Sequence, residues 1–246
     1  MFYEPFVGTG AVLATLQPDK AVASDTLEPL IDFWHQLQTS PDALIAHYEK
    51  NWEAYQKDRK RAYENAKARY NDAPNPFDLM FISRTCYGGV IRFTKEHKIS
   101  TPIGPHNPIK PDSFAERVHD WRNRVQNCEF VHADYKDVIA KASKGDLIYC
   151  DPPYTDSQTI LYGAQMFVFS ELLEAIDLAK KRGAMIALSI DGDKKSGKKE
   201  IDLGIPDDLF EHEMFVDCGH SMLRRFQKGG ETMEGEKVRD RLLLTW

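Results

Sequence analysis

The stretch GDLIYCDPPYTD, residues 145–156, passes from an apolar run into an acid, two prolines and a tyrosine. Its residues 147–150 are apolar or aromatic without alternation, which is typical of a strand buried on both faces of a parallel sheet. Asp151 then stands at the carboxyl end of that strand, the edge where open α/β sheets bind ligands. The stretch therefore predicts an α/β domain with a ligand site at Asp151.

The residues after the predicted strand indicate what such a ligand would look like. Two consecutive prolines hold the backbone extended and donate no hydrogen bond, so the carbonyl groups there point outward without a partner in the sheet. Asp151 and a proline carbonyl can each accept a hydrogen bond, and the ring of Tyr154 offers a stacking surface. An amino group on a flat ring would satisfy all three groups.

Outward from this stretch, the chain alternates strand-like and helical segments. The glycine-rich FVGTG, residues 6–10, leads from a short strand into a helix, and KAVASD, residues 20–25, is a second short strand followed by an amphipathic helix. Units of this kind predict a parallel sheet. Further strands are predicted within residues 129–134, 184–191, 209–222 and 236–246, the last two as an antiparallel pair at the edge. The predicted class is α/β with a mixed, mostly parallel sheet.

The rhythm changes in the middle of the chain. Residues 41–72 have helical spacing and high charge, and the pair Gly88-Gly89 between two β-rich stretches of residues 76–104 predicts a hairpin. A helix then returns the chain to the α/β pattern. We therefore predict a main domain formed by residues 1–39 and 127–246, and an inserted subdomain formed by residues 40–126.

Composition limits the partners and the location of the protein. The net charge of −6 and the pI near 5.8 argue mildly against a nucleic-acid binder, although lysines and arginines form local clusters whose simplest interpretation is a set of solvated faces. The 8 histidines and 4 cysteines show no metal-ligand spacing, so we predict no metal. No apolar run is long enough to span a membrane and the N-terminus does not resemble a signal peptide, so we expect no membrane partner and a cytoplasmic protein.

Three features predict a nucleoside cofactor. Gly8 and Gly10 open a helix, and Leu13 stands where the dinucleotide fingerprint requires a third glycine, which disfavours a pyrophosphate. Asp25, at the end of the next strand, can accept hydrogen bonds from two ribose hydroxyls. S-adenosylmethionine fits this description. Each acid also has a simpler interpretation, because Asp25, and Asp134 at the end of a third strand, can equally well cap the helices that follow them.

Four motifs, in this order, resemble those of the Dam-type (alpha-group) family of N6-adenine-specific DNA methyltransferases. They are EPFVGTGAV, RTCYGGVIRF followed by TPIG, FVHADY, and DPPY, and the resemblance covers almost the whole chain. It implies a Rossmann-like S-adenosylmethionine-dependent methyltransferase fold with an inserted helical and hairpin DNA-recognition subdomain. It also implies transfer of a methyl group to N6 of an adenine flipped out of double-stranded DNA, in a bacterial or phage-infected cell.

The same resemblance implies roles for individual residues. The predicted catalytic residues are Asp151, Pro152, Pro153 and Tyr154. The predicted cofactor-binding residues are Glu4, Pro5, Phe6, Gly8, Gly10, Asp25, Asp134, Tyr135 and Asp151. The predicted DNA-binding residues are Arg84, Tyr87, Val90 and Arg92.

Departures from the family pattern leave alternatives open. Relatives carry a Lys- and Gly-rich motif ahead of the glycine turn, whereas this sequence starts at Met1 with the turn already at Gly8. The expectation is that the pocket is more open, that a second chain completes it, or that the chain is a catalytically impaired DNA-binding remnant. An enzyme acting on RNA or on a protein amino group is a further alternative. Gly88 and Ile99-Ser100 also differ from the family, which leaves the recognition sequence undetermined.

Overall fold

The computed structural model describes residues 1–153, 167–191, 204–220, 227–228, 231–232 and 237–246. The strands are β1 Phe2–Glu4, β2 Ala21–Asp25, β3 Cys128–His132, β4 Leu147–Cys150, β5 Met185–Asp191, β6 His212–His220, β7 Gln227–Lys228, β8 Glu231–Thr232 and β9 Lys237–Leu244. The helices are α1 Ala11–Leu16, α2 Glu28–Thr39, α3 Pro41–Lys57, α4 Arg59–Asp72, α5 Pro76–Thr85, α6 Pro111–Val125, α7 Tyr135–Ile139 and α8 Phe169–Lys181, with a 3₁₀ turn at Tyr87–Gly89.

Seven strands form one sheet in the order β3-β2-β1-β4-β5-β9-β6. The first five are parallel to one another, and β9 pairs antiparallel with both β5 and β6. The structure thus confirms the mixed, mostly parallel sheet and the antiparallel pair at its edge. A helix follows each of the first four strands along the chain, β1 to β4. The result is an alternating α/β arrangement, as in Rossmann-like folds.

Both faces of the sheet are covered, because alternate residues of each inner strand enter different hydrophobic clusters. In β4, Ile148 and Cys150 belong to one cluster, while Leu147 and Tyr149 pack against the other. In β1, Phe2 and Tyr3 divide in the same way. This arrangement explains why the strand before Asp151 is apolar without alternation.

Helices α3 and α4 extend the hydrophobic cluster on one face of the sheet, and they pack against other helices, α3 on α2, α5 and α6 and α4 on α5. Each carries two buried tyrosines seven residues apart, which places both rings on one side of its helix. These residues are Tyr48 and Tyr55 on α3, and Tyr63 and Tyr70 on α4, and they share one hydrophobic cluster with β1 and β2. The division of the chain into a main domain and a subdomain at residues 40–126 stays a prediction.

The predicted hairpin at Gly88-Gly89 is wrong. The apolar run before it is helix α5, which begins with an Asn75 cap that accepts from Asp78 N at 2.8 Å and with Pro76 in its first turn. Gly88 and Gly89 lie instead in the 3₁₀ turn that ends this helix, both with positive φ. The chain reverses later, where Phe93 bridges Ile99 in antiparallel fashion.

Candidate active site

The strand order reverses direction along the chain on the two sides of β1, since β2 and β3 extend the sheet one way and β4 and β5 the other. Such a switch point leaves a crevice at the carboxyl ends of the central strands. Three acids lie there: Glu4 ends β1, Asp25 ends β2, and Asp151 directly follows β4. The structure therefore brings together residues that are up to more than half the chain apart in sequence.

The glycine turn connects β1 to α1 at this edge. Gly8 has φ 44° and Gly10 has φ 64°, a left-handed region that other residues adopt at a cost. A Cβ atom on Gly10 would lie 2.9 Å from the ring of Trp34, whereas one on Gly8 would have no described atom nearer than Phe6 O at 4.0 Å. Gly10 is thus required by packing as well as by the turn, and the main chain at Gly8 borders open space.

Asp25 ties the glycine turn to the end of β2. Its Oδ2 accepts from Gly8 N at 3.2 Å and its Oδ1 accepts from Leu27 N at 3.0 Å. Burial raises the pKa of Asp25, and the N–H groups of Leu27 and Gly8 oppose that rise. The N–H of Thr26 also acts on this carboxylate, and because a carboxylate has about four acceptor positions, Asp25 can still accept a further hydrogen bond. The bond to Leu27 N closes the turn ahead of α2, whose N-cap is Leu27 itself without a side-chain cap, so Asp25 does not cap this helix. Contact of Asp25 with ribose hydroxyls stays a prediction.

Glu4 is an acid in an apolar setting. Its side chain is only 3 % exposed, and among the described residues its Oε2 has no hydrogen-bond partner. Burial raises the pKa of Glu4 to about 8, with an opposing contribution from the Leu13 N–H and a smaller rise due to Asp151. A buried oxygen without a partner costs on the order of 1–3 kcal/mol, which a polar ligand in the crevice would recover.

Asp151 has the opposite environment. Its side chain is exposed, and its negative charge contributes to the raised pKa of Glu4, Tyr149 and Cys150, so it lies close to all three. Pro152 is buried and Pro153 is half-buried, which fixes the extended chain after the strand. The predicted stacking residue Tyr154 lies outside the described residues.

Asp134 and Tyr135 lie where α7 begins, two residues after β3 ends. Asp134 is exposed and accepts from Lys136 N at 2.9 Å, which is the capping contact that the sequence offered as one alternative. The predicted contact of Asp134 with the cofactor's adenine stays a prediction.

Tyr135 belongs to an aromatic cluster beside the glycine turn. Its ring stacks on Phe6 with centroids 5.1 Å apart, and Phe167 meets both rings at 5.9 Å from Phe6 and 5.8 Å from Tyr135. The hydroxyl of Tyr135 is buried and has no partner within the described part of the chain. Phe167 is not among the predicted site residues, because a single aromatic residue ahead of a helix is no signal of a site.

The predicted DNA-binding residues all lie between α5 and the antiparallel bridge at Phe93. Arg84 is exposed in the last turn of α5, and Tyr87, whose N–H donates to Pro102 O at 2.8 Å, keeps 36 % of its surface exposed. Arg92 is exposed, and its N–H donates to Thr101 Oγ1 at 2.7 Å. Val90 is buried at 8 % exposure, and its contact with DNA stays a prediction.

Comparison with known proteins identifies the family. The family model described as D12 class N6 adenine-specific DNA methyltransferase matches residues 1–189. The chain belongs to this family. Its resemblance to Dam-type enzymes is thereby confirmed, and the family and its named members make the chain an adenine-specific DNA methyltransferase.

Three relatives illustrate the range of D12 methyltransferases that are similar to this chain. The DNA adenine methylase of Vibrio cholerae is 26 % identical over 195 residues, covering 76 % of this chain and 69 % of the relative. A type II methyltransferase of Lactococcus lactis is 27 % identical over 62 % of this chain and 56 % of its own length. The DNA N-6-adenine-methyltransferase of Escherichia phage P1 is 29 % identical over 77 % of this chain but only 26 % of its own length.

Two further features of this D12 methyltransferase concern metals and membranes. Within the described ranges, no group of three or more His, Cys, Asp and Glu side chains could hold a metal ion. Of the helices in those ranges, none is long and apolar enough to cross a membrane. Membership of a methyltransferase family implies S-adenosylmethionine as the general methyl donor and DNA as the substrate.

Proposed function

We propose that this chain binds S-adenosylmethionine in the crevice at the carboxyl ends of β1, β2 and β4, and methylates N6 of an adenine flipped out of double-stranded DNA. The observation that carries the proposal is the meeting of Glu4, Asp25 and Asp151 at the switch point of the sheet, directly beside the glycine turn. Only one of the three, Asp151, is exposed, and it is the one assigned to the chemistry.

The residues present at the crevice fit the cofactor. S-adenosylmethionine supplies an electrophilic methyl group when it is bound. Glu4 offers a buried oxygen without a described partner, and Asp25 can still accept a hydrogen bond from a hydroxyl group. Gly8 brings the main chain to open space next to both acids. The stacked rings of Phe6 and Tyr135 provide an aromatic surface beside the glycine turn.

Asp151 and the carbonyl of Pro152 are assigned to the adenine amino group. The lone pair of that nitrogen is delocalised into the ring, so the amine is a poor nucleophile. Two acceptors that take its two N–H bonds favour a more tetrahedral nitrogen and fix its direction. Asp151 is suited to this task because its exposed side chain directly follows β4, at the edge of the sheet where the crevice lies.

Access to the amine requires that the adenine leave the duplex, at a cost of about a few kcal/mol. Arg84, Tyr87, Val90 and Arg92 are assigned to DNA, and the exposed ring of Tyr87 can occupy the stack that the flipped base leaves. An arginine that binds a guanine edge with two hydrogen bonds discriminates by about 1–3 kcal/mol. Tyr154 is assigned to stacking on the flipped base, by its place in the DPPY motif.

The test is transfer of a labelled methyl group from S-adenosylmethionine to unmethylated duplex DNA, followed by digestion to nucleosides and identification of the labelled base. The expected labelled product is N6-methyladenine. Single-stranded RNA and protein are the control substrates, and neither should acquire label. Label on RNA or protein, label on cytosine, or DNA binding without any incorporation would each contradict the proposal.

A further inference from the structure

Two arginines from different helices flank one buried tyrosine in the middle of the chain. Tyr48 of α3 stacks on Phe114 of α6 with ring centroids 3.9 Å apart and meets Phe81 of α5 edge-on at 6.1 Å. Arg84 lies three residues after Phe81, and Arg117 lies three residues after Phe114. Since residues three apart share a helix face, each arginine extends the surface that its phenylalanine presents to Tyr48.

The two guanidinium groups lie close enough to repel each other. Partial burial lowers the pKa of Arg84, and the charge of Arg117 lowers it further. Both arginines also lower the pKa of Tyr48, but burial has the larger effect and raises it to about 12. Tyr48 is therefore neutral at physiological pH and does not compensate the two positive charges.

Neither arginine of this pair has an acidic partner among the described residues. Within the part of the chain that the structure describes, neither Arg84 nor Arg117 forms an ion pair, whereas Arg124 on the same helix as Arg117 pairs with Asp120 at 2.9 Å. Both side chains are exposed. The pair is thus an accessible concentration of positive charge with the fork geometry that suits a phosphate.

The position of the pair is fixed by the surrounding main chain. The hydroxyl of Tyr48 donates to Ile109 O at 2.7 Å, directly ahead of the residue that caps α6. Arg84 lies in the last turn of α5, three residues before Tyr87, and so borders the segment that is assigned to DNA. An anion held between the arginines would therefore lie beside that segment.

We propose that Arg84 and Arg117 together bind one phosphate group of the DNA backbone, which makes α6 part of the DNA interface. The inference rests on the proposed function and adds Arg117 to it as a positioning residue. A backbone phosphate carries no base identity, so the pair fixes the register of the duplex without choosing the sequence.

The test compares equilibrium binding of duplex DNA by the wild type, Arg84→Ala, Arg117→Ala, the double variant and Arg124→Ala over a range of salt concentrations. Arg124→Ala is the matched control, because it removes an arginine from the same helix that already has an acidic partner. Loss of one phosphate contact reduces the slope of log K against log[salt] by about 1. Arg117→Ala should weaken binding to cognate and unrelated duplexes alike, and Arg124→Ala should leave the slope unchanged.

The double variant tests whether the phosphate is shared. Its slope should fall by about 1 in total, because the pair neutralises a single phosphate. A fall of about 2 would assign the arginines to separate phosphates and overturn the inference, as would an Arg117→Ala variant that behaves like Arg124→Ala. Wild-type methyl transfer is measured on the same duplex. If the wild type neither binds nor methylates this duplex, the proposed function fails as well. If the wild type does both and the salt slopes of the variants differ from those expected, this inference alone fails.

Discussion

At the scale of single residues, the site depends on two acids whose surroundings separate their roles. Glu4 and Asp151 end or follow neighbouring strands, yet one is buried with a raised pKa and the other is exposed. Sequence alone identifies both acids, but it does not reveal this difference. The N–H of Leu13 in α1 donates to Glu4 at the end of β1, a contact between elements that no local pattern encodes.

Glu4 should make stability depend on pH. Its pKa rises from an ordinary 4.5 to about 8 in the folded chain, so between these values the folded state retains a proton that the unfolded state releases. The contribution of Glu4 to stability is therefore full below pH 4.5 and is lost as the pH rises to about 8. In the Glu4→Gln variant, the free energy of unfolding should no longer include this decrease between pH 4.5 and about 8.

Urea unfolding of the wild type and Glu4→Gln across that pH window measures the effect. Glu129→Gln is a suitable control, since Glu129 is an exposed acid on β3 of the same sheet. If the stability curves of the wild type and Glu4→Gln run parallel through the window, Glu4 is not protonated in the folded chain.

At the scale of elements, a buried polar network connects helices α3, α4 and α5. Asp78 of α5 is 2 % exposed and accepts from Arg69 Nε of α4 at 3.1 Å, while Arg69 also donates to Asn51 Oδ1 of α3 at 2.9 Å. His47 Nε2 lies 3.3 Å from Asp78 Oδ1. Burial alone would raise the pKa of Asp78, but the hydrogen bonds from His47 and Arg69 lower it to about 2.

Asp78→Asn should destabilise the fold by about 2–3 kcal/mol, because it removes charge-assisted hydrogen bonds from a buried position. In the wild type, the lowered pKa means that this stabilisation is full above pH 3.8 and is lost as the pH falls towards about 2. Urea denaturation midpoints measure the effect. Asp120→Asn is the control, because its exposed pair with Arg124 contributes about 0–1 kcal/mol. Equal effects of the two substitutions would show that the network does not fasten the helices.

Helix α5 also marks the limit of prediction at this scale. The run of residues 77–82 is apolar, aromatic and short, so its periodicity does not separate a strand from a buried helix. In the sequence, Asn75 and Pro76 have the composition of a break between elements, although the same pair is a helix start. The tertiary contacts of α5 with α2 and α4, which the sequence does not display, favour the helix.

At the scale of the whole molecule, the parallel strands and their acidic ends were predictable because each β-then-helix unit carries its own pattern. Strand order was not, since nothing local specifies that β4 pairs with β1 or that β9 inserts between β5 and β6. The acids Glu4, Asp25 and Asp151 meet in the structure because the carboxyl ends of parallel strands share one edge, whereas their roles stay predictions. The capping and binding interpretations of Asp25 and Asp134 are inseparable in sequence because both use the same oxygen atoms.

The central claim is that Asp151 performs the chemistry at a crevice whose cofactor contacts lie elsewhere. The most direct measurement combines calorimetric titration with S-adenosylmethionine and single-turnover methyl transfer for the wild type, Asp151→Ala and the control Asp177→Ala, whose acid is exposed on α8. Asp151→Ala should bind the cofactor nearly as well as the wild type and lose about 10²-fold or more in transfer rate. An unchanged transfer rate in Asp151→Ala would contradict the account.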